Sequence, residues 1–400
     1  MGSEWVSTTL GEVLTLQRGF DLPINDRIEG PYLVVASTGI VGHHSSAMVK
    51  GPGIVIGRSG SLGGGQYINE DFWPLNTTLW VKDFKGNDPL FCYYLLKSID
   101  FTKYNVGSGV PTLNRNHIHP LPVTVPDIPE QRAIAHILGS LDDKIELNRQ
   151  MNQSLEAMAQ AIFKSWFVDF DPVHAKAEGR DTGLPAEIAE LFPDSFEESE
   201  LGLVPKGWKV KPLDTIAEFL NGLACQKYPA VSDQPLLPVI KIRELRQGIT
   251  YVTDKATTAV PPQYIINNGD VLFSWSGSLM VKLWCCGRGV LNQHVFKVSS
   301  LSFPQWFYYL WLQHYLPDFQ SIADDKATTM GHIKRHHLSE TFVLLPTNEL
   351  LLRMTSYIQT LLDQQIVNEL NSTGISKLRD SLLPKLISGE LRVPCMDRFF

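Results

Sequence analysis

Residues 128–166 read IPEQRAIAHILGSLDDKIELNRQMNQSLEAMAQAIFKSW. Within them Ile134, Leu138, Leu141, Ile145, Asn148, Asn152, Leu155, Ala159, Ile162 and Trp166 fall at alternating steps of four and three, a heptad seam kept for over four heptads. Asp127 is placed to cap a helix, with Pro129 in its first turn and Glu130 three residues on. Toward the other end Leu351, Met354, Ile358, Leu361, Gln365, Asn368, Ser372, Ile375, Arg379, Leu382 and Leu386 keep the same steps less cleanly, with Thr347 or Asn348 as cap. At about 1.5 Å per residue either helix is roughly 55 to 60 Å long. Mid-seam amides, Asn148 and Asn152 against Gln365 and Asn368, suit two helices packed on each other, where a buried amide sets register at some cost in stability. The plainer alternative is a long helix lying along a globular domain.

Working outward, the sequence ahead of each helix repeats. Trp5, Leu10, Val13, Leu16 and Gly19 recur as Trp208, Leu213, Ile216, Phe219 and Gly222 at an offset of 203. Ser59-Gly60-Ser61-Leu62 recurs as Ser276-Gly277-Ser278-Leu279, each after a β-type run, Gly53-Ile54-Val55-Ile56 and Gly269-Asp270-Val271-Leu272. Leu75-Asn76 pairs with Leu291-Asn292, and Tyr93-Tyr94-Leu95 with Tyr308-Tyr309-Leu310. Arg115, His117, Ile118 and Pro126 match Arg335, His337, Leu338 and Pro346 at an offset of 220. Order is kept while the offset drifts, as duplication followed by loop insertion produces. The expected organisation is a first domain over 1–127, a spacer helix over 128–170, an acidic linker over 171–203, a second domain over 204–346, and a second spacer helix with a tail over 347–400. The linker, with one short helix over Pro185 to Phe192, reads as a solvated connector, or as an acidic docking strip.

The 400 residues are 44% hydrophobic and 19% charged, the balance of a chain that buries cores. No apolar run of 18 residues and no signal-like start is present, so a cytoplasmic protein is expected. Cys92, Cys225, Cys285, Cys286 and Cys395 form no CxxC pair and read as ordinary core thiols. The net charge of -7 is misleading, because residues 171–203 alone hold 2 basic and 9 acidic side chains. Residues 1–127 hold 9 basic and 11 acidic, and 204–346 hold 14 and 10, so neither large segment is barred from carrying a basic face.

The usual enzyme motifs are absent from the sequence. There is no Gly-Lys pair, hence no P-loop of the usual form, and Gly57 to Gly65 reads as a flexible glycine-rich turn after a strand. Pro193-Asp194 with Glu197-Glu198 is a faint echo of a nuclease carboxylate pair without its lysine. His332 and His336, four apart, lack a third ligand and stand beside Lys334 and Arg335, which repel a cation. No metal or cofactor is expected on this chain.

Two acid-free stretches stand out instead. Phe101 to Pro126 crowds together Lys103, Asn105, Ser108, Thr112, Asn114, Arg115, Asn116, His117 and His119. Its repeat partner, Lys326 to Ser339, holds Lys326, Thr328, Thr329, His332, Lys334, Arg335, His336 and His337. Arg and Lys satisfy phosphates or the guanine edge, Asn pairs with adenine, and Ser, Thr and His adapt to either. Twin patches at equivalent places suit a protein touching two stretches of one polyanion. The alternative is a pair of solvated turns ahead of the last strand. Arg58 and Ser59, and on the other side Lys241, Arg243, Arg246, Lys282 and Arg288, are candidates to extend the same faces.

Several stretches together resemble the specificity subunits of type I restriction-modification systems. They are Trp5 to Val13, Gly107 to Ile118 (GSGVPTLNRNHI), Ile128 to Ala135 (IPEQRAIA), Phe163 to Val173 (FKSWFVDFDPV), and the junction pieces Pro193 to Phe196 and Pro205 to Trp208. The second half departs from the pattern at Gly331-His332-Ile333 and at Glu349-Leu350-Leu351-Leu352-Arg353. The resemblance implies two α/β (α+β) target recognition domains in a pseudo-two-fold internal repeat, separated by two long antiparallel coiled-coil helices. It implies a non-catalytic subunit, each domain reading half of a bipartite double-stranded DNA site while the helices set the spacing. Two methyltransferase subunits would dock there and bring S-adenosylmethionine, and restriction subunits would bring ATP and Mg. Two major-groove faces on one side of DNA recur about every 34 to 36 Å, a span such helices can bridge. A protein–protein scaffold that reads no nucleic acid is the alternative function. From the charge counts, the second domain is expected to supply more of any salt-dependent affinity than the first.

Overall fold

The structure, a computed structural model, describes residues 5–231, 235–324 and 331–393. It divides into two compact units, Met1–Ile145 with Gly374–Phe400, and Glu146–Thr373.

In the first unit a four-stranded antiparallel sheet runs in the order Thr15–Arg18, Thr78–Asp83, Gly53–Gly57, Gly63–Ile68. Beside it lies a three-stranded sheet of Gly39–His44, Tyr32–Ala36 and Phe72–Pro74, the last two parallel. A separate pair, Val6–Thr9 with Pro122–Val125, brings the ends of the domain together. Leu16, Ile54, Ile56, Leu79 and Val81 of the larger sheet are buried against Phe91 and Leu95 of the helix Pro89–Ser98. That helix starts where Asp88 accepts the Phe91 N–H at 2.9 Å and proline takes a first-turn position that needs no N–H. The glycine-rich run expected as a turn is only partly one, since Gly63, Gly64 and Gly65 begin the strand Gly63–Ile68 with φ of 73°, 76° and 101°.

The second unit repeats this plan. Its four-stranded sheet runs Glu218–Asn221, Val295–Ser299, Val271–Ser274, Met280–Leu283, and its second sheet contains the parallel pair Leu236–Ile240 and Gly289–Leu291. Lys209–Pro212 pairs with Phe342–Leu345 as Val6–Thr9 does with Pro122–Val125. The ladders correct the repeat by one residue at two places. Phe20 bridges Leu75 while Leu223 bridges Asn292, and Thr78 opposes Gly57 where Val295 opposes Ser274. Leu75 therefore corresponds to Asn292, not Leu291, and Gly53 to Asp270, not Gly269, so the offset at both places is 217, as it is from Ser59 to Ser276.

The long helices span Ile128–Phe163 and Asn348–Ile387. Asp127 caps the first by accepting the Glu130 N–H at 3.2 Å, and Thr347 caps the second, its hydroxyl accepting the Leu350 N–H at 3.3 Å. In the first unit Ile134, Ala135 and Leu138 share a core with Leu383, Leu386 and Ile387, and Arg379 pairs with Asp142. In the second unit Asn148 Nδ2 donates to Ser372 Oγ at 3.1 Å and Asn368 Nδ2 to Asn152 Oδ1 at 2.9 Å. These two bonds are exchanged by the 220-residue repeat, which carries Asn148 to Asn368 and Asn152 to Ser372. In both units the helices run antiparallel, since later positions on one meet earlier positions on the other. Leu141, Ile145, Leu155, Ile162, Trp166, Leu361, Ile375 and Leu382 are half-buried, and Ile134, Leu138, Asn148, Ile358 and Asn368 are buried.

The segment expected as a solvated connector is folded onto the second unit's core. Val173, Ile188 and Phe192 are buried there, and Phe196–Ser199 pairs with Gly202–Pro205. Phe170, at φ 57°, turns the chain after the helix and sets its ring edge-on to Trp208 at 5.9 Å. In the first unit Gly389, at φ 76°, does this without a side chain, against the ring of Trp5.

Candidate nucleic-acid interface

The described parts of the two acid-free stretches fold alike because they are anchored alike. In the first unit Leu113 and Ile118 are buried in the core, which leaves Asn114, Arg115, Asn116 and His117 between them exposed. In the second, Ile333 and Leu338 are buried and Lys334, Arg335 and His336 exposed. Each stretch is fastened to a glycine-serine loop by the same pattern. Ser59 bridges Thr112, with Gly60 N–H donating to Pro111 O at 3.0 Å and Leu113 N–H to Arg58 O at 2.8 Å. Ser276 bridges His332, with Gly277 N–H donating to Gly331 O at 2.8 Å and Ile333 N–H to Trp275 O at 3.0 Å. A short helix follows in both, Arg115–Ile118 and Arg335–Ser339. In the first unit Asn114 starts it by accepting the Asn116 N–H at 3.0 Å.

The structure thus brings Arg58, Ser59, Thr112, Asn114 and Arg115 to one place, where a hollow of about 880 Å³ is also lined by Gln17, Arg18 and Lys82. Lys103 is exposed and pairs with Asp100 at 3.6 Å. His119 turns inward. Its Nε2 accepts the Leu16 N–H at 3.0 Å, and burial, with Arg115 and Lys85 nearby, holds its pKa below the ordinary value.

In the second unit the loop carries Trp275 in place of Arg58. Its indole N–H donates to Asn221 Oδ1 at 3.1 Å, and its ring lies 5.7 Å from His294, 5.9 Å from Phe296 and 6.3 Å from His332. Arg335 donates to Phe219 O at 3.1 Å with its guanidinium 5.8 Å from the Phe296 ring. His336 rests on His337 at 4.2 Å, and His337 is buried with Nδ1 accepting the Lys334 N–H at 3.1 Å. Lys241 and Arg243 have other partners. Lys241 pairs with Asp254, and Arg243 with buried Glu244, so both neutralise carboxylates in and around the helix Ile242–Gln247. Lys326, Thr328 and Thr329 lie outside the described residues. Among the described residues no group of three His, Cys, Asp or Glu is placed to hold a metal, and no helix is long and apolar enough to cross a membrane.

Sequence reading passes over Arg18, Lys82, Asn221, Trp275 and His294. Arg18 and Asn221 immediately precede the repeated glycines Gly19 and Gly222, and Trp275 immediately precedes the repeated serine. Their positions follow from the repeat once its register is known.

A duplicated α/β chain that shows the same loop-and-helix face twice, with a paired long helix in each unit, is the architecture of a two-part recognition protein. The type I restriction modification DNA specificity domain matches residues 2–157 and again 205–381, and the chain belongs to that family. It is 26% identical over 337 residues to the type I restriction enzyme MjaIX specificity subunit of Methanocaldococcus jannaschii, covering 80% of this chain and 74% of that one. It is 26% identical over 392 residues to the HindI specificity subunit of Haemophilus influenzae, covering 82% and 84%. The crystal structure of a type I restriction-modification S subunit from M. genitalium shares the fold, with a TM-score of 0.58 over 96% of both chains at 15% identity.

Proposed function

We propose that this chain is the non-catalytic DNA-reading subunit of a type I restriction-modification complex, each recognition domain, 1–127 and 204–346, reading one half of a bipartite double-stranded site. The observation that carries this reading is the repeated face, two glycine-serine loops fastened to two short helices by the same bridge, in a chain of the DNA specificity family. Arg58, Ser59, Thr112, Asn114, Arg115, Asn116 and His117 form the DNA-facing group of the first domain. His332, Lys334, Arg335 and His336 form that of the second. Cations hold phosphates and guanine edges there, and amides and hydroxyls read base edges.

The long helices set the gap between half-sites and carry two methyltransferase subunits. Leu147, Met151 and Met158 on the first helix, and Val367 and Leu370 on the last, are all at least 36% exposed within the second unit, an apolar surface suited to a partner. S-adenosylmethionine and adenine methylation belong to those subunits, and ATP, Mg and cleavage to restriction subunits. The complex works in the cytoplasm.

The test is adenine-methylation mapping by long-read sequencing, in cells with the cognate methyltransferase and with or without this chain. A bipartite motif with a fixed gap, seen only when the chain is present, is the expected result. No motif despite a stable, active methyltransferase complex would leave the scaffold as the better account.

A further inference from the structure

We infer that the two domains bind DNA by different means, the first supplying most of the salt-dependent phosphate contact and the second reading through an aromatic surface centred on Trp275. The inference rests on the DNA-reading role proposed above. It reverses what the charge counts of the two segments suggest.

The corrected repeat allows the faces to be compared residue by residue. Where the first unit has Arg18, Arg58, Lys82 and Arg115, the second has Asn221, Trp275, Ser299 and Arg335. Three of four cations are replaced by uncharged groups. The first unit's hollow is lined by those four cations against one carboxylate, Asp21. Asp21 meets Arg18 at 3.9 Å with both side chains more than half exposed, a pairing worth little. Arg58 donates to Asn76 O at 3.2 Å, which orients its guanidinium without neutralising it. Lys82 and Arg115 are exposed, and among the described residues neither has a carboxylate in ion-pair range.

Arg335 lines a different hollow, of about 280 Å³, together with Asp214 and Glu218, neither of which pairs with it among the described residues. The guanidinium is moreover held by Phe219 O and the Phe296 ring. Three of the segment's cations are paired with carboxylates, Lys241 with Asp254, Arg243 with Glu244 and Lys297 with Asp270. Lys334 is exposed, and Arg246 is bonded to Ser278. What the second loop presents instead is Trp275, fixed by one hydrogen bond and three ring neighbours. A ring already ordered before binding loses little entropy on contact. Its apolar face suits the methyl group of thymine.

The experiment uses the assembled complex with its methyltransferase subunits and the methylation-mapped site, and measures Kd against salt concentration. Arg115→Met and Arg335→Met form a matched pair at equivalent positions. Arg115→Met is expected to reduce the slope of log K against log salt by about 0.9, and Arg335→Met to reduce it by clearly less. Trp275→Ala is expected to keep the slope but lower discrimination at one position of a single half-site by roughly tenfold to a hundredfold. Equal slope losses for the matched pair, or a slope loss with Trp275→Ala, would overturn the inference while leaving the DNA-reading role intact. A wild-type complex that binds no DNA would overturn that role and the inference with it. Should Arg335→Met fail to assemble, the double variant Arg58→Met/Arg115→Met decides, with an expected slope loss of about 1.8 and an unchanged slope refuting the inference.

Discussion

The helix pair meets the two units by two different solutions, and the difference predicts a double-mutant cycle. In the first unit Arg379 Nη1 donates to Asp142 Oδ1, and Tyr94 donates its hydroxyl to Asp142 Oδ2 at 2.7 Å. Their side chains are 17% and 29% exposed for Arg379 and Asp142, and Tyr94 is buried. The 220-residue repeat maps Arg379 onto Ala159 and Asp142 onto Leu362, both buried. An ion pair in one unit is thus an apolar pair in the other. Arg379→Ala leaves a largely desolvated carboxylate with only a phenol, at a cost of about 2 to 3 kcal/mol after allowance for the solvent that reaches it. Asp142→Leu strands Arg379 beside exposed Asp380 and costs a similar amount. Asp142→Leu with Arg379→Ala recreates the other unit's solution and loses chiefly the Tyr94 acceptor, about 1 to 2 kcal/mol. The expected coupling is therefore about 3 kcal/mol, well above the scatter of independent sites. Hydrogen exchange of the backbone amides over 374–387 reads it, because it reports opening of that segment without requiring the whole chain to unfold in one step. Additive costs would refute the reasoning, and would mean that the ion pair does not help hold the last helix on the first unit.

Three further outcomes follow from particular groups. His119 has a lowered pKa in the fold, so its neutral form is favoured there; its contribution is present above the unfolded value of 6.5 and is lost as pH falls through the lower folded value. Exchange protection of the Leu16 amide should drop between neutral pH and pH 5, and His119→Gln should flatten that dependence; a pH-independent wild type would contradict it. Burial pushes the Cys92 and Cys285 thiols up to about 12, so a thiol reagent at about pH 8 should label neither in the native chain at the rate of a free thiol, near a pKa of 8.5; rapid native labelling would count against their placement. A Cβ at Gly19 would lie 2.2 Å from Leu75 O and one at Gly222 2.1 Å from Asn292 O, so Gly19→Ala and Gly222→Ala should each destabilise their own unit by about 3 kcal/mol, and a change under about 1 kcal/mol in denaturant unfolding would argue against these close approaches.

The parts of the fold most legible in the sequence are those that a regular backbone demands. A heptad seam must place its side chains at steps of four and three, so the helices around Asn148 and Asn368 can be drawn from spacing alone. Gly19 and Gly222 recur because in both units the chain passes over a carbonyl too closely for a side chain. Strand register is less legible, because a one-residue shift changes no composition. Leu75-Asn76 and Leu291-Asn292 match by identity, yet the bridges from Phe20 and Leu223 fall on Leu75 and Asn292. Only the hydrogen bonds distinguish these pairings. The connector departs from expectation for a related reason. Its nine acidic residues are real, but Val173, Ile188 and Phe192 are spaced too irregularly to signal a buried face, and what buries them is a core built from residues far along the chain.

Charge is the property that transfers worst from sequence to surface. A segment's count treats every lysine and arginine as available, whereas availability is set by what stands within about 4 Å in the fold. Lys241, Arg243 and Lys297 lie far in sequence from the second acid-free stretch and each meets a carboxylate, while Arg58 and Arg115, in a segment with more acidic than basic residues, converge on one hollow. A stretch without acids is a sound guide to where a face lies, because the anchoring of Leu113 and Ile118, or Ile333 and Leu338, forces the polar residues between them outward. It is a poor guide to how cationic that face is, because the neighbours that complete it come from other strands. In one unit they are Arg18 and Lys82, and in the other, at the equivalent positions, Asn221 and Ser299. Duplication has therefore kept the backbone of the loop-and-helix face while the side chains on it diverged.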